Sequence, residues 1–407
     1  MFHRRRLTPT PLADRGPLRV MFLVTSMPVG GAETLLVNLV RRLGRERFLP
    51  ELCCLKERGP LGEMLSDEIP VHFGLLGGKY DVRVLGRLTR LFAERRIDAA
   101  ITVGAGDKMF WGRLAAWWAG LPVVAAALHS TGWPDGIGRL NRLLTPITDA
   151  FIAVAAPHGK HLVEIEGFPA AKVYVIPNGV DTELFRPQPR SETLRAQLDL
   201  SPVDRAVAIV AALRPEKNHA MLLEAIANVR RTRPEVKLLV VGEGPERANI
   251  ERRAMELGVG DAVRLLGNRS DVPEVLAAAD AFCLSSHMEA NPVSILEALA
   301  CEVPVVAPRV GSIPETVRDG DTGYLVEPGD ASAMASRVAM LLEDETTRRR
   351  LGKSGRELVV NHWSLDNMVR GYERLIAGIY SSKCPRSVAR GAGGSHRPLP
   401  TEFDAIA

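Results

Sequence analysis

Several features are scarce in this sequence, and each absence excludes something. Aromatic residues make up only 5% of the 407 positions, and there are five cysteines, Cys53, Cys54, Cys283, Cys301 and Cys384. Their odd number, their place mostly inside apolar strand-like runs and the lack of paired metal spacing exclude a disulfide scaffold and a zinc framework. This is the usage of a reducing cytosol. No apolar run reaches the roughly 18 to 20 residues that a membrane helix needs. The positively charged start leads into Thr8, Pro9, Thr10 and Pro11 rather than an apolar segment, so no secretory signal is read and a cytoplasmic location is expected. A basic stripe is also missing. The net charge of +4 resides in the tails, which together carry +6 and leave the body near −2, so nucleic acid is excluded as a partner. No G-x-G-x-x-G follows the first strand-like run, which disfavours a nicotinamide-dependent dehydrogenase.

What remains is an ordinary globular balance, 46% hydrophobic and 25% charged, in a chain long enough for two or three domains. Mostly apolar runs of strand length recur at 18–26, 49–55, 99–103, 123–128, 151–155 and 173–176, separated by stretches of helical period. A segment with Pro187 and Pro189 interrupts the pattern, which restarts with runs at 206–213, 236–241, 263–266, 281–284 and 303–307. Continuously apolar strands alternating with helices imply parallel sheets covered on both faces. The chain therefore reads as α/β, with two doubly wound, Rossmann-like domains facing a cleft. The boundaries expected are a disordered basic tail at 1–16, an N-terminal domain at 17–185, a C-terminal domain at 186–363 and a disordered tail at 381–407. Two closing helices are read, about 330–361 and 365–380, the second packing back on the first domain.

In open parallel sheets ligands bind beyond the carboxyl ends of the strands, where loops lead into helix N-termini. The densest such loop is His287-Met288-Glu289-Ala290-Asn291-Pro292, ahead of the apolar helix VSILEALA. Asn291 reads as the N-cap and Pro292 as the first helical residue. The N–H groups of Val293 and Ser294 are then free of intrahelical acceptors and suited to a phosphate, unless the Asn291 side chain claims one. Glu289 before the helix and Glu297 within it place two carboxylates around the same pocket, either as acceptors for sugar hydroxyls or as a first-turn acid and a solvated helical glutamate.

These residues, with VIPNGVDTELFRP and LRPEKNH upstream and LEALACEVPVVAPRVGSIPE downstream, resemble the retaining glycosyltransferases of family 4, over about residues 18 to 380. The resemblance implies the two-domain GT-B architecture, a nucleotide-diphospho-sugar donor, UDP- or GDP-linked, on the C-terminal domain, a hydroxyl acceptor on the N-terminal domain, and no metal or other cofactor. It assigns Glu289 to donor-sugar hydroxyls, Glu297 to the ribose, Lys217 to the diphosphate, Gly30 and Gly31 to the glycine-rich loop that contacts the diphosphate, and His129 to the neighbourhood of the sugar. Gly242, in GEGPER, matches a loop near the nucleotide. The family's usual arginine is Ala212 here, and Arg214 stands two positions on as its replacement.

Departure of a nucleoside diphosphate develops negative charge, which without a metal must meet fixed cations and backbone dipoles. His129 and Glu289 are the expected catalytic residues, in a front-side displacement through an oxocarbenium-like state; covalent attack by Glu289 is the less favoured route. An epimerase of nucleotide sugars and a silent sugar-nucleotide sensor are the alternatives. Trp111, Trp117 and Trp118, with Met109 and Phe110, form an apolar helical stretch that is either core or a surface for a lipid-linked acceptor. The Arg4 to Arg6 cluster would give weak, salt-sensitive contact with the cytoplasmic face of a membrane at about 1 kcal/mol per charge. Polysaccharide, lipopolysaccharide or glycolipid assembly is the expected setting.

Overall fold

The computed structural model describes residues 9–78, 81–104, 107–129 and 142–385. The chain divides into two compact units, the first running to Pro177 and taking up the chain again from Met368, the second comprising Asn178–Asn367.

Among the described residues the first unit holds seven strands: β1 (Leu18–Val24), β2 (Phe48–Cys54), β3 (Val71–Phe73), β4 (Ala99–Val103), β5 (Val123–Ala127), β6 (Ala150–Ala153) and β7 (Val173–Val175). They pair in parallel in the order β3-β2-β1-β4-β5-β6-β7. The second unit holds six: β8 (Arg205–Val210), β9 (Val236–Val241), β10 (Val263–Gly267), β11 (Ala281–Cys283), β12 (Val305–Pro308) and β13 (Gly323–Val326). Their order is β10-β9-β8-β11-β12-β13, again all parallel. Both are doubly wound, Rossmann-like sheets. The central strands β4, β5, β11 and β12 are buried at every position, which is why they read as unbroken apolar runs.

Three expectations are corrected. β3 and β13 lack long apolar runs and go unread; both are short edge strands. The helical stretch read as one from 330 to 361 is two helices, Ala331–Glu343 and Glu345–His362. Asp344 separates them because its carboxylate accepts from the N–H groups of Thr346 and Thr347 at 2.9 and 3.0 Å, capping the second helix. In the segment with Pro187 and Pro189, Arg190 pairs with Asp280, and a short helix follows at Glu192–Gln197. Finally, the helix after β11 begins at Val293 with Pro292, not Asn291, at its N-cap.

At the amino ends of the strands the two sheets use one device. Asp98, just before β4, accepts the N–H of Arg19 at 2.9 Å through Oδ2 and pairs with Arg15 through Oδ1. Asp280, just before β11, accepts the N–H of Ala206 at 2.9 Å and pairs with Arg190 at 2.8 Å and Arg205 at 3.3 Å. Each carboxylate satisfies the otherwise orphaned N–H of the strand beside it.

Candidate active site

The strand order of the second unit reverses direction between β8 and β11, which pair with each other. A topological switch point of this kind opens a crevice beyond the carboxyl ends of the two strands. The loops after β8 and β11 carry Lys217 and Glu289.

Beyond β8 the chain makes a single 3₁₀ turn, Pro215–Lys217, and then Asn218 adopts a left-handed conformation with φ of 50°. Asn218 caps the helix His219–Arg230, its side chain accepting from the Met221 N–H. The loop after β11 is sewn to this turn: Ser285 Oγ donates to the Lys217 carbonyl at 2.8 Å, and the His287 N–H to the Glu216 carbonyl at 2.9 Å. Across that seam Lys217 Nζ lies 2.6 Å from Glu289 Oε1, which also accepts from Ser286 Oγ at 2.6 Å. Two of the residues singled out from sequence are thus brought into direct contact, and Ser286, not singled out, orients the carboxylate.

The Glu289 backbone is held as firmly. Gly311, from the loop after β12, has φ of 53°, and a Cβ placed there would come within 1.7 Å of the Glu289 carbonyl oxygen. Only glycine permits both the conformation and the approach. Gly242 plays the same part after β9: with φ of 140°, its Cβ would fall 2.0 Å from the Ala211 carbonyl, while its N–H donates to Gly267 at 2.8 Å. On the other side of the donor loop, the buried Asn178 donates through Nδ2 to the Asn291 carbonyl at 3.0 Å.

Asn291 makes no cap bond, and its side-chain oxygen and nitrogen have no hydrogen-bond partner although the residue is 7% exposed. The Val293 and Ser294 N–H groups have no acceptor inside their helix. Two further buried polar side chains lack partners at the same end of the sheet, Ser312 beyond β12 and His219 beyond β8. Burial and the charge of Lys217 push the His219 imidazole down to about 4, so it is neutral at physiological pH. Glu297, half-buried in the helix, has its carboxyl pushed up to about 7 by desolvation. Sequence reasoning missed Ser286, His219 and Ser312. The signal that could have found them was their place in loops leaving the carboxyl ends of strands.

Arg214 is exposed and lies 4.0 Å from Glu216, its guanidinium held by no buried carboxylate. Gly30, Gly31 and His129 belong to the first unit. Gly30 is the N-cap of the helix Gly31–Arg42, extended at φ of −168°, and the half-buried His129 stands two residues beyond β5. Trp111 packs on the core formed by Leu23, Ala100 and Val124, which accounts for its place without a ligand; Trp117 and Trp118 are half-buried and meet edge to face. The Met109 side chain, the Arg4 to Arg6 cluster and most of the 381–407 tail lie outside what is described. Among the described residues no helix is long and apolar enough to cross a membrane, and no group of three or more His, Cys, Asp or Glu is placed to hold a metal ion.

Residues 190–358 match the family Glycosyl transferases group 1, and residues 29–184 match Glycosyltransferase Family 4. The GDP-mannose-dependent alpha-(1-6)-phosphatidylinositol monomannoside mannosyltransferase of Mycolicibacterium smegmatis is 32% identical over 70% of this chain and 76% of its own length. The chain belongs to the group 1 glycosyltransferases. The N-acetyl-alpha-D-glucosaminyl L-malate synthase of Bacillus anthracis is also 32% identical, over 51% of this chain, and the match spans only 54% of that relative's length. Among solved structures, Anabaena HepE in complex with UDP and glucose aligns with a TM-score of 0.79 over 88% of this chain and 99% of its own, at 22% identity. That likeness establishes the GT-B fold. Among the described residues of this glycosyltransferase, the strand-end loops of the second unit gather three buried polar side chains without a hydrogen-bond partner, Asn291, Ser312 and His219.

Proposed function

We propose that the protein is a retaining glycosyltransferase that moves a sugar from a UDP- or GDP-linked donor to a hydroxyl acceptor, with the donor on the second unit and the acceptor on the first. The observation that carries this reading is the Lys217–Glu289–Ser286 contact over the β8/β11 switch point, beside a helix start with two open N–H groups. Lys217 supplies the cation that a departing pyrophosphate requires. In the structure described, Glu289 occupies that cation; a donor's phosphate oxygens would compete for Nζ and release Glu289 to accept sugar hydroxyls. The first neutralises the leaving group and the second orients the ring, so no metal is needed in this scheme. Ser286 keeps Glu289 in place during the exchange.

His129 is assigned to the donor sugar, where its imidazole would steady the positive ring as the bond breaks, and Gly30 and Gly31 to the diphosphate. The GDP-mannose dependence of the Mycolicibacterium smegmatis relative and the UDP-glucose bound in Anabaena HepE support a nucleoside diphosphate as the carrier. A lipid-linked or saccharide acceptor at the cytoplasmic face of a membrane fits the same reading.

The test is calorimetry of the full chain against UDP-glucose, UDP-galactose and GDP-mannose. Lys217→Ala should weaken the donor that binds by about 10- to 100-fold, equivalent to about 1.4 to 3 kcal/mol for a charge-assisted contact. Equal affinity in the variant would sink the assignment.

A further inference from the structure

Resting on that reading of the donor site, we infer that the side-chain amide of Asn291 reads a hydroxyl of the transferred sugar and sets which sugar is accepted. The amide is more than nine-tenths buried, and neither its oxygen nor its nitrogen has a partner. A buried polar group left without a hydrogen bond is destabilising, and here two atoms of one side chain bear that cost.

Local slack does not explain it. The Asn291 carbonyl is fixed by Asn178 Nδ2, the following Pro292 restricts the backbone at φ of −75°, and Gly311 closes against the Glu289 carbonyl two residues earlier. With the backbone held on both sides, the loop has little freedom to bring the amide to another partner. Capping is also excluded, since the side chain accepts no N–H from the helix that follows.

The position along the loop gives the ligand's chemistry. Asn291 stands between Glu289, proposed to take sugar hydroxyls, and the open N–H groups of Val293 and Ser294, proposed to take phosphate. In a sugar nucleotide the ring is bonded directly to the pyrophosphate, so a group between those two contacts meets the ring. An amide both donates and accepts, as a hydroxyl does, and being neutral it does not compete with Glu289 for Lys217.

The experiment compares wild type with Asn291→Ala and the near-isosteric Asn291→Leu. The probes are bare UDP and GDP, then UDP-glucose, UDP-galactose and GDP-mannose with their monodeoxy analogues. Wild type should lose at least about 10-fold in kcat/KM for one deoxy analogue, because a site built to bond a hydroxyl rejects its absence. In both variants the penalty for that one analogue should shrink to about 2-fold or less, with the penalties for the others and the affinity for the bare nucleotide unchanged. Asn291→Leu should melt no lower than wild type, since it removes two unpaired polar atoms. A uniform loss across all analogues, undiminished discrimination or a lowered Tm in Asn291→Leu would each overturn the inference. If wild type discriminates but the variants discriminate equally, only this inference falls. If wild type binds none of the nucleotides or sugar nucleotides, the donor reading falls and takes the inference with it.

Discussion

The two ends of the second sheet treat their polar side chains differently. At the amino end, Asp280 is saturated: it takes the Ala206 N–H and faces Arg190, Arg205 and Arg348. At the carboxyl end Glu289 is paired with Lys217 and Ser286, but desolvation raises the half-buried Glu297, and the side chains of Asn291, Ser312 and His219 have no hydrogen-bond partner. The first sheet repeats the saturated case twice, at Asp98 and at Glu51, whose carboxylate meets Arg19, Arg95 and His72 at 2.9 to 3.1 Å. Satisfied carboxylates hold the sheets together. Open polar groups cost stability, and in the second unit they gather where α/β sheets bind ligands.

That contrast breaks most sharply at Asp280. Asp280→Ala leaves up to three guanidinium groups and one strand N–H without their carboxylate, and removing one member of a buried charge cluster costs about 3 to 5 kcal/mol. Denaturant unfolding should show that loss, while the fraction still folded keeps wild-type donor affinity because the cluster lies at the far end of the strands. A fall in affinity matching the fall in stability would erase the distinction between the two ends.

A smaller loss is expected at Gly311, with the opposite division. Gly311→Ala meets the Glu289 carbonyl and a φ of 53°, so the donor loop must move or the substitution must strain its own backbone. The stability cost should be about 1 to 3 kcal/mol, but kcat should fall by more than that cost predicts, since Glu289 loses its register against Lys217. Thermal unfolding and steady-state turnover on the same preparation separate the two effects.

How much of this is legible in the sequence depends on range. Buried central strands are readable because burial on both faces removes polar residues from them altogether, as in the run VVAAA of β5, Val123–Ala127, where every position is buried. The edge strands β3 and β13 are not readable, because polar or small residues break their few positions: His72 stands inside β3, and β13 opens on Gly323, where a Cβ would meet the Val305 carbonyl at 2.3 Å. Within the candidate site, Lys217, Glu289 and Glu297 stand out individually. Their relations do not, since the Lys217–Glu289 contact joins positions 72 residues apart. The Asn291 cap fails for a related reason: Asn178, 113 residues away, holds its carbonyl, and Pro292 takes the cap position instead. Long-range hydrogen bonds leave no mark in local sequence.

The least effect is expected from acid and base, and it sets Glu51 against Glu297. Burial would raise the Glu51 carboxyl, but hydrogen bonds from His72, Arg95 and Arg19 outweigh it and hold it at about 2. Its folded value is below its unfolded one, so its stabilisation is complete above about pH 4.3 and is lost as pH falls toward 2. Glu297 is the reverse case. Desolvation raises its carboxyl to about 7, so folding carries no penalty from it below about pH 4.3, acquires one between there and 7, and carries the whole of it above 7. Because Glu297 is half-buried, the penalty is about 1 kcal/mol rather than the full shift. Glu297→Gln should therefore be more stable than wild type at pH 8 by about 1 kcal/mol and match it at pH 4, whereas Glu51→Gln should be less stable at pH 8 and lose that deficit toward pH 2. Unfolding free energies measured at these pH values, without nucleotide, give both differences. Parallel pH profiles for the two variants would mean that the two carboxylates are held alike, against what the hydrogen bonds of Glu51 indicate.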